Sequence, residues 1–121
     1  MPLVRIDITG PKPDAYKRAL LAGARLAVTS ALGVPDSSVT VRVFEASPEC
    51  VDVPSCRTGR FTVVEVLLYE GRPPELKTAL VSALRDIYAD NPGIEPSAVT
   101  VFIHDASPTD LDVLPGETEA H

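Results

Sequence analysis

A chain of 121 residues, 45% hydrophobic and 23% charged, is long enough for one buried core and too short for two independent ones. No apolar run approaches the ~20 residues that cross a bilayer, and Met1-Pro2-Leu3-Val4-Arg5 has a charge by position 5 with no long apolar stretch behind it, so the sequence reads as a cytoplasmic chain with no membrane partner. The net charge of -6 belongs to the end of the chain: residues 1 to 104 hold 12 acids against 11 bases, while 105–121 form an acidic tail of five acids and no Lys or Arg, and without a basic stripe nucleic acid is not a partner.

In chain order, Leu3 to Ile8 is rich in β-branched residues and runs into Thr9-Gly10-Pro11, which predicts a strand and a turn. Tyr16, Ala19, Leu20, Gly23 and Ala27 then recur at helical spacing, in a helix that opens on prolines and ends near Gly33. Val39 to Phe44 alternates as a half-buried strand. The loop from Glu45 to Arg60 carries Cys50 and Cys56, six apart, with no nearby His or second Cys pair; that spacing predicts free thiols and no metal. Val63 to Tyr69 is the next strand, the turn Glu70-Gly71-Arg72 follows, and Leu76, Leu80, Ala83, Leu84 and Ile87 mark a helix that stops at Asn91-Pro92-Gly93. Val99 to His104 is the last strand.

The second series repeats the first at an offset of 60. From Leu3 to Val53, 16 of 51 ungapped pairs are identical, among them Val39-Thr40-Val41 over Val99-Thr100-Val101 and Ala46-Ser47-Pro48 over Ala106-Ser107-Pro108. The chain is therefore one domain of two duplicated units, about 2–53 and 62–113. Two β-α-β units with right-handed crossovers predict an α+β, two-layer fold: a four-stranded mixed sheet with both helices on one face. Strand parity puts Val4, Ile6, Ile8, Val64, Val66 and Leu68 under the helices. The other face carries Arg5, Asp7, Arg42, Phe44, Glu65, Phe102 and His104, too apolar for free solvent and too charged for a sealed core, which predicts a homo-oligomer. Ferredoxin-like and tautomerase folds both satisfy this order.

Pro2 follows the initiator methionine. Removal of Met1 would leave a proline secondary amine at the head of a strand, a rigid base that works only if a nearby cation or a dry pocket keeps it neutral. An arginine serves twice, because its permanent charge disfavours the protonated amine and its planar fork binds a carboxylate. The repeat of this unit begins at Thr62, inside a continuous chain where no amine is free.

Met1-Pro2-Leu3-Val4-Arg5-Ile6, together with Leu68-Tyr69-Glu70-Gly71-Arg72-Pro73-Pro74-Glu75-Leu76-Lys77, resembles the tautomerase superfamily over about residues 2–104. The resemblance implies Pro2 as the catalytic base and Arg72, in a Glu-Gly-Arg turn like that of 4-oxalocrotonate tautomerase, as the carboxylate ligand. The fused two-unit length implies the homotrimer of the branches that hold macrophage migration inhibitory factor, malonate semialdehyde decarboxylase and cis-3-chloroacrylic acid dehalogenase. An arginine that small relatives carry in the second strand is Thr40 here, so Arg42 is a possible substitute, with pairing to Asp7 or Glu65 as its alternative role. Tyr69 is a candidate pocket residue. Lys12, the first-half counterpart of Arg72, reads as an exposed helix-start lysine, and His104 as an interface histidine. The dehalogenase pattern is not met, since Tyr69 stands where that branch has an arginine. The expected activity is a cofactor-free tautomerase acting on a small 2-keto or enol carboxylate. A malonate-semialdehyde-decarboxylase-like lyase and a non-catalytic binding module are the alternatives.

Overall fold

The computed structural model describes residues 2–53, 61–107 and 109. Cys56 and most of the acidic tail lie outside them. Six principal elements follow in order: strand β1 (Leu3–Thr9), helix α1 (Asp14–Leu32), strand β2 (Thr40–Ala46), strand β3 (Thr62–Tyr69), helix α2 (Pro74–Asp90) and strand β4 (Val99–Ala106). The sheet order is β2-β1-β3-β4, with parallel outer pairs and an antiparallel centre. This is the mixed α+β sheet that the duplication predicts.

The two halves repeat each other's contacts as well as each other's letters. The Gly10 N–H donates to the Ala46 carbonyl at 2.9 Å, and sixty residues later the Glu70 N–H donates to the Ala106 carbonyl at 3.0 Å. Lys17 pairs with Glu45 at 2.9 Å, and its counterpart Lys77 pairs with Asp105. Arg25 donates to the Asp36 carbonyl on the short turn that leads into β2, and Arg85 to the carbonyl of Val99, the first residue of β4.

Helix starts follow the prolines. Pro13 and Pro73 hold the extended N-cap conformation, and Asp14 and Glu75 stand in the first turns, where a negative charge suits the helix dipole. Helix α1 ends at Gly33, whose φ of 68° is the left-handed cap that lets its N–H return to Thr29.

One sheet face packs under both helices, and Val4, Ile6, Ile8, Val64, Val66 and Leu68 are all buried on it. Three details differ from the sequence reading. Strand β2 begins at Thr40, because the Val39 N–H closes a tight turn onto the Asp36 carbonyl at 3.2 Å. In α1 the fully buried stripe is Leu20, Gly23, Ala24, Ala27 and Val28, with Tyr16 half-buried against the same core; Ala24 and Val28 join the stripe, and Ala19 stands at its edge. Tyr88, absent from the predicted stripe of α2, is fully buried, and its hydroxyl donates to the Leu20 carbonyl at 2.8 Å. The Gly23 surface explains the room for that ring: a Cβ there would stand 2.9 Å from both Ile87 Cγ2 and Tyr88 Cε1. Among the described residues, no helix is long and apolar enough to cross a membrane.

Candidate active site

The antiparallel β1–β3 pair assembles one end of the sheet. Leu3 lies across from Leu67 and Val4 across from Val66, so one further step of the register sets Pro2 opposite Leu68. Strand β3 ends at the next residue, Tyr69, and enters the Glu70-Gly71-Arg72 turn. Gly71 has φ 109°, a conformation that penalises any Cβ, and an added Cβ would meet nothing within 4 Å; the backbone itself requires glycine here. The head of β1 and the arginine turn after β3 therefore share one end of the molecule, although 70 residues separate Pro2 from Arg72 in sequence.

Pro2 is less than 2% exposed, and its carbonyl accepts the Thr40 N–H at 3.2 Å, which ties it to the start of β2. Tyr69 is 5% exposed. Arg72 is half-buried, and its Nη1 reaches the Tyr69 carbonyl at 3.5 Å. Pro2, Tyr69 and Arg72 thus lie toward the same end of the sheet.

Arg42 is elsewhere. It is exposed and lies across from Arg5, three positions from Pro2, which is about 10 Å along a strand. Its guanidinium sits 5.6 Å from the Phe44 ring centroid, with that of Arg5 at 4.2 Å from the same ring. The pairing of Arg42 with Asp7 or Glu65 is not what forms. Asp7 is taken by Arg5 at 3.1 Å, a hydrogen bond that raises the Arg5 pKa, and Glu65 lies 3.6 Å from His104 Nε2. His104 also stacks on Phe102 at 6.2 Å, so it belongs to the open sheet face, away from the helices.

The first-half equivalent of the arginine turn is occupied by its own residues. Glu45 accepts the Lys12 backbone N–H at 2.9 Å and the Lys17 ammonium at 2.9 Å, and those two contacts, Lys17 first, hold its carboxyl below the usual carboxylate range. The carboxylate lies over Gly10, where a Cβ would stand 2.5 Å from Oε2. The Lys12 ammonium is 5.1 Å from the Tyr16 ring centroid, and the Thr9 hydroxyl accepts the Phe61 N–H at 3.0 Å. Sequence reasoning missed Glu45. The available signal was the alignment of Glu45 with Asp105, two acids at the offset that also aligns Lys17 with Lys77.

Among the described residues, no group of three or more His, Cys, Asp or Glu side chains is placed to hold a metal ion, and Cys50 is an exposed free thiol.

A duplicated β-α-β sheet with a buried proline at the head of its first strand and an arginine turn beside it has the architecture of a tautomerase. The family model described as tautomerase enzyme matches residues 63–113. The solved structure of the fused 4-OT Q0, a symmetric trimer, is 32% identical, with a TM-score of 0.83 over 93% of this chain and 92% of that one. Pt0534, solved after inactivation by 2-oxo-3-pentynoate, is 26% identical, with a TM-score of 0.84 over 93% and 92%. The fused 4-OT F6, an asymmetric trimer, shares the fold at 21% identity and a TM-score of 0.82 over 92% and 91%. Among curated proteins none matches. The chain belongs to the tautomerase superfamily.

Proposed function

We propose that the protein is a cofactor-independent tautomerase that moves a proton between oxygen and carbon of a small 2-keto or enol carboxylate, with the amine of Pro2, freed by removal of Met1, as the base. The observation that carries this reading is the burial of Pro2 at the sheet end that also holds Arg72. Burial disfavours a protonated amine, and a guanidinium brought near it from the same sheet end would do so further, which is the condition for a base at neutral pH.

The substrate carboxylate would pair with Arg72, whose guanidinium reaches the Tyr69 carbonyl at 3.5 Å, and the Tyr69 side chain would line the pocket. Pro2 nitrogen takes the proton of the 2-hydroxyl as the C2–O bond becomes a carbonyl and the C2–C3 electron pair moves to C3. The same proton is then delivered to C3. Nothing is gained or lost overall, so no redox partner enters. Arg42 lies about 10 Å along the strand from Pro2, with its guanidinium 5.6 Å from the Phe44 ring centroid, and the scheme does not require it. The inactivation of Pt0534 by a 2-oxo acid supports the substrate class. The trimer of Q0, with Phe44 and Phe102 40% and 49% exposed on the open sheet face here, supports a homotrimer.

Ketonisation of phenylenolpyruvate, followed by ultraviolet absorbance, tests the reading on protein whose Met1 removal has been verified by mass spectrometry. The expected rate is well above buffer and falls at least tenfold in Pro2→Ala. Equal rates in the two proteins would remove Pro2 as the base. Covalent labelling by 2-oxo-3-pentynoate should fall on the peptide that begins with Pro2.

A further inference from the structure

The sheet end that holds Pro2 and Arg72 is bordered by the last residues of β4. Leu68, which one further step of the β1–β3 register sets opposite Pro2, lies across from Asp105 in the parallel β3–β4 pair. Pro2, Leu68 and Asp105 therefore form one row across three strands. Residues paired across strands share a sheet face, so Asp105 stands on the helix side with the buried Leu68. Lys77, at the start of α2 and five residues after Arg72, pairs with Asp105.

The arginine turn is thus anchored on both sides of Arg72. Before it, the Glu70 N–H donates to the Ala106 carbonyl at 3.0 Å; after it, Lys77 takes Asp105. Both anchors are the final residues of β4. The first half repeats this arrangement with one difference. There Lys17 pairs with Glu45 at 2.9 Å, and Glu45 also accepts the Lys12 N–H at 2.9 Å, so residue 12 is held directly by the acid. Asp105 is one methylene shorter, and among the described residues its carboxylate takes Lys77 alone. In the half that carries the arginine, the acid on the last strand acts on the turn through the lysine.

We propose that Lys77 and Asp105 are a positioning pair for the reaction: they hold the head of α2 on the end of β4 and so fix where the Arg72 guanidinium meets the substrate carboxylate. The inference rests on the tautomerase reading above. Neither side chain takes part in the proton transfer. Their side chains are 29% and 37% exposed, so the direct contribution of the pair to stability is small. Its effect is geometric, because misplacing a binding group by about 1 Å can cost on the order of 100-fold in rate.

Steady-state kinetics with phenylenolpyruvate and its neutral methyl ester, together with amide hydrogen exchange, test this on the full chain. Lys77→Met should raise KM for the acid about tenfold with kcat within about threefold, and leave the ester unchanged, as expected when binding of the carboxylate is what is lost. Lys77→Arg, which keeps a cation on Asp105, should restore KM to within about threefold. Lys17→Met makes the same lesion in the half whose turn carries Lys12, and its kinetics should match those of the unaltered chain. Exchange at the Glu70 amide should be about fivefold faster in Lys77→Met, because one of the two anchors of the turn is gone. Absence of ketonisation in the unaltered chain, or a rate indifferent to Pro2→Ala, would sink the tautomerase reading. An active chain in which Lys77→Met leaves KM for the acid unchanged, loses as much on the ester, or does no worse than Lys17→Met would overturn the positioning role alone. An unchanged Glu70 amide would overturn the tie whether or not the chain is active.

Discussion

Gly23→Ala should destabilise the protein although it replaces a poor helix former with the best one. In an open helix interior the exchange would gain about 1 kcal/mol. Here the new methyl group would stand 2.9 Å from Ile87 Cγ2 and 2.9 Å from Tyr88 Cε1. Neither neighbour yields easily. Ile87 is β-branched with few rotamers in a helix, and the Tyr88 ring is fully buried with its hydroxyl fixed to the Leu20 carbonyl at 2.8 Å. Two contacts of this kind correspond to the upper part of the 1–3 kcal/mol range for overpacking, which leaves a net loss of about 1–2 kcal/mol. For a chain of this length that is a fall in Tm of roughly 3–8 °C. Thermal and urea unfolding at one fixed protein concentration would measure it, since assembly makes stability depend on concentration. An unchanged or raised Tm would show that α1 and α2 separate freely, and that the glycine is not what seats Tyr88.

Other consequences are as direct. Tyr88→Phe removes a buried hydrogen bond and should cost about 1 kcal/mol. Burial, with a smaller contribution from the charge of Tyr16, holds the Tyr88 phenol above its ordinary range, so its share of stability is present below about pH 10 and is lost as pH rises; the phenylalanine variant should show a flatter alkaline decline, and a parallel decline in both proteins would refute the assignment. Glu45 has a lowered pKa, so its contribution is present above the unfolded carboxylate value and lost as pH falls through the folded one. The difference in Tm between the unaltered protein and Glu45→Gln should therefore shrink between pH 7 and pH 3, and a constant difference would count against the Lys17 and Lys12 contacts. Arg72→Gln should lower kcat/KM for phenylenolpyruvate by about 10- to 100-fold, the size of a lost charge-assisted hydrogen bond, mostly through KM; the same loss with the neutral methyl ester would show that Arg72 does not bind the carboxylate.

Local sequence determined the elements and their order. Alternation in Leu3–Thr9 and Thr62–Tyr69 and helical spacing after Pro13 and Pro73 are short-range signals, and the offset of 60 made each half a check on the other. The same offset carried the sheet architecture, because a β-α-β unit has one favoured hand. Pro2 and Arg72 could be singled out as candidates from the sequence because their chemistry is specific: a proline that would become a secondary amine on removal of Met1, and a guanidinium in a glycine turn. What brings them to one end is the register Leu3 to Leu67, which is fixed by which faces of β1 and β3 are buried, and burial is a property of the assembled layers. Tertiary structure alone decided the rest. Tyr88 enters the core because Gly23, 65 residues away, has no side chain, and helical periodicity within α2 contains no trace of that space. Arg5, Arg42, Asp7 and Glu65 could be read from sequence as charges on one face, but their partners depend on separations of a few ångströms across strands, where Arg5 took Asp7 and left Arg42 over Phe44. Glu45 is the same case: its value as a ligand comes from a turn and a helix that begin more than 30 residues before it.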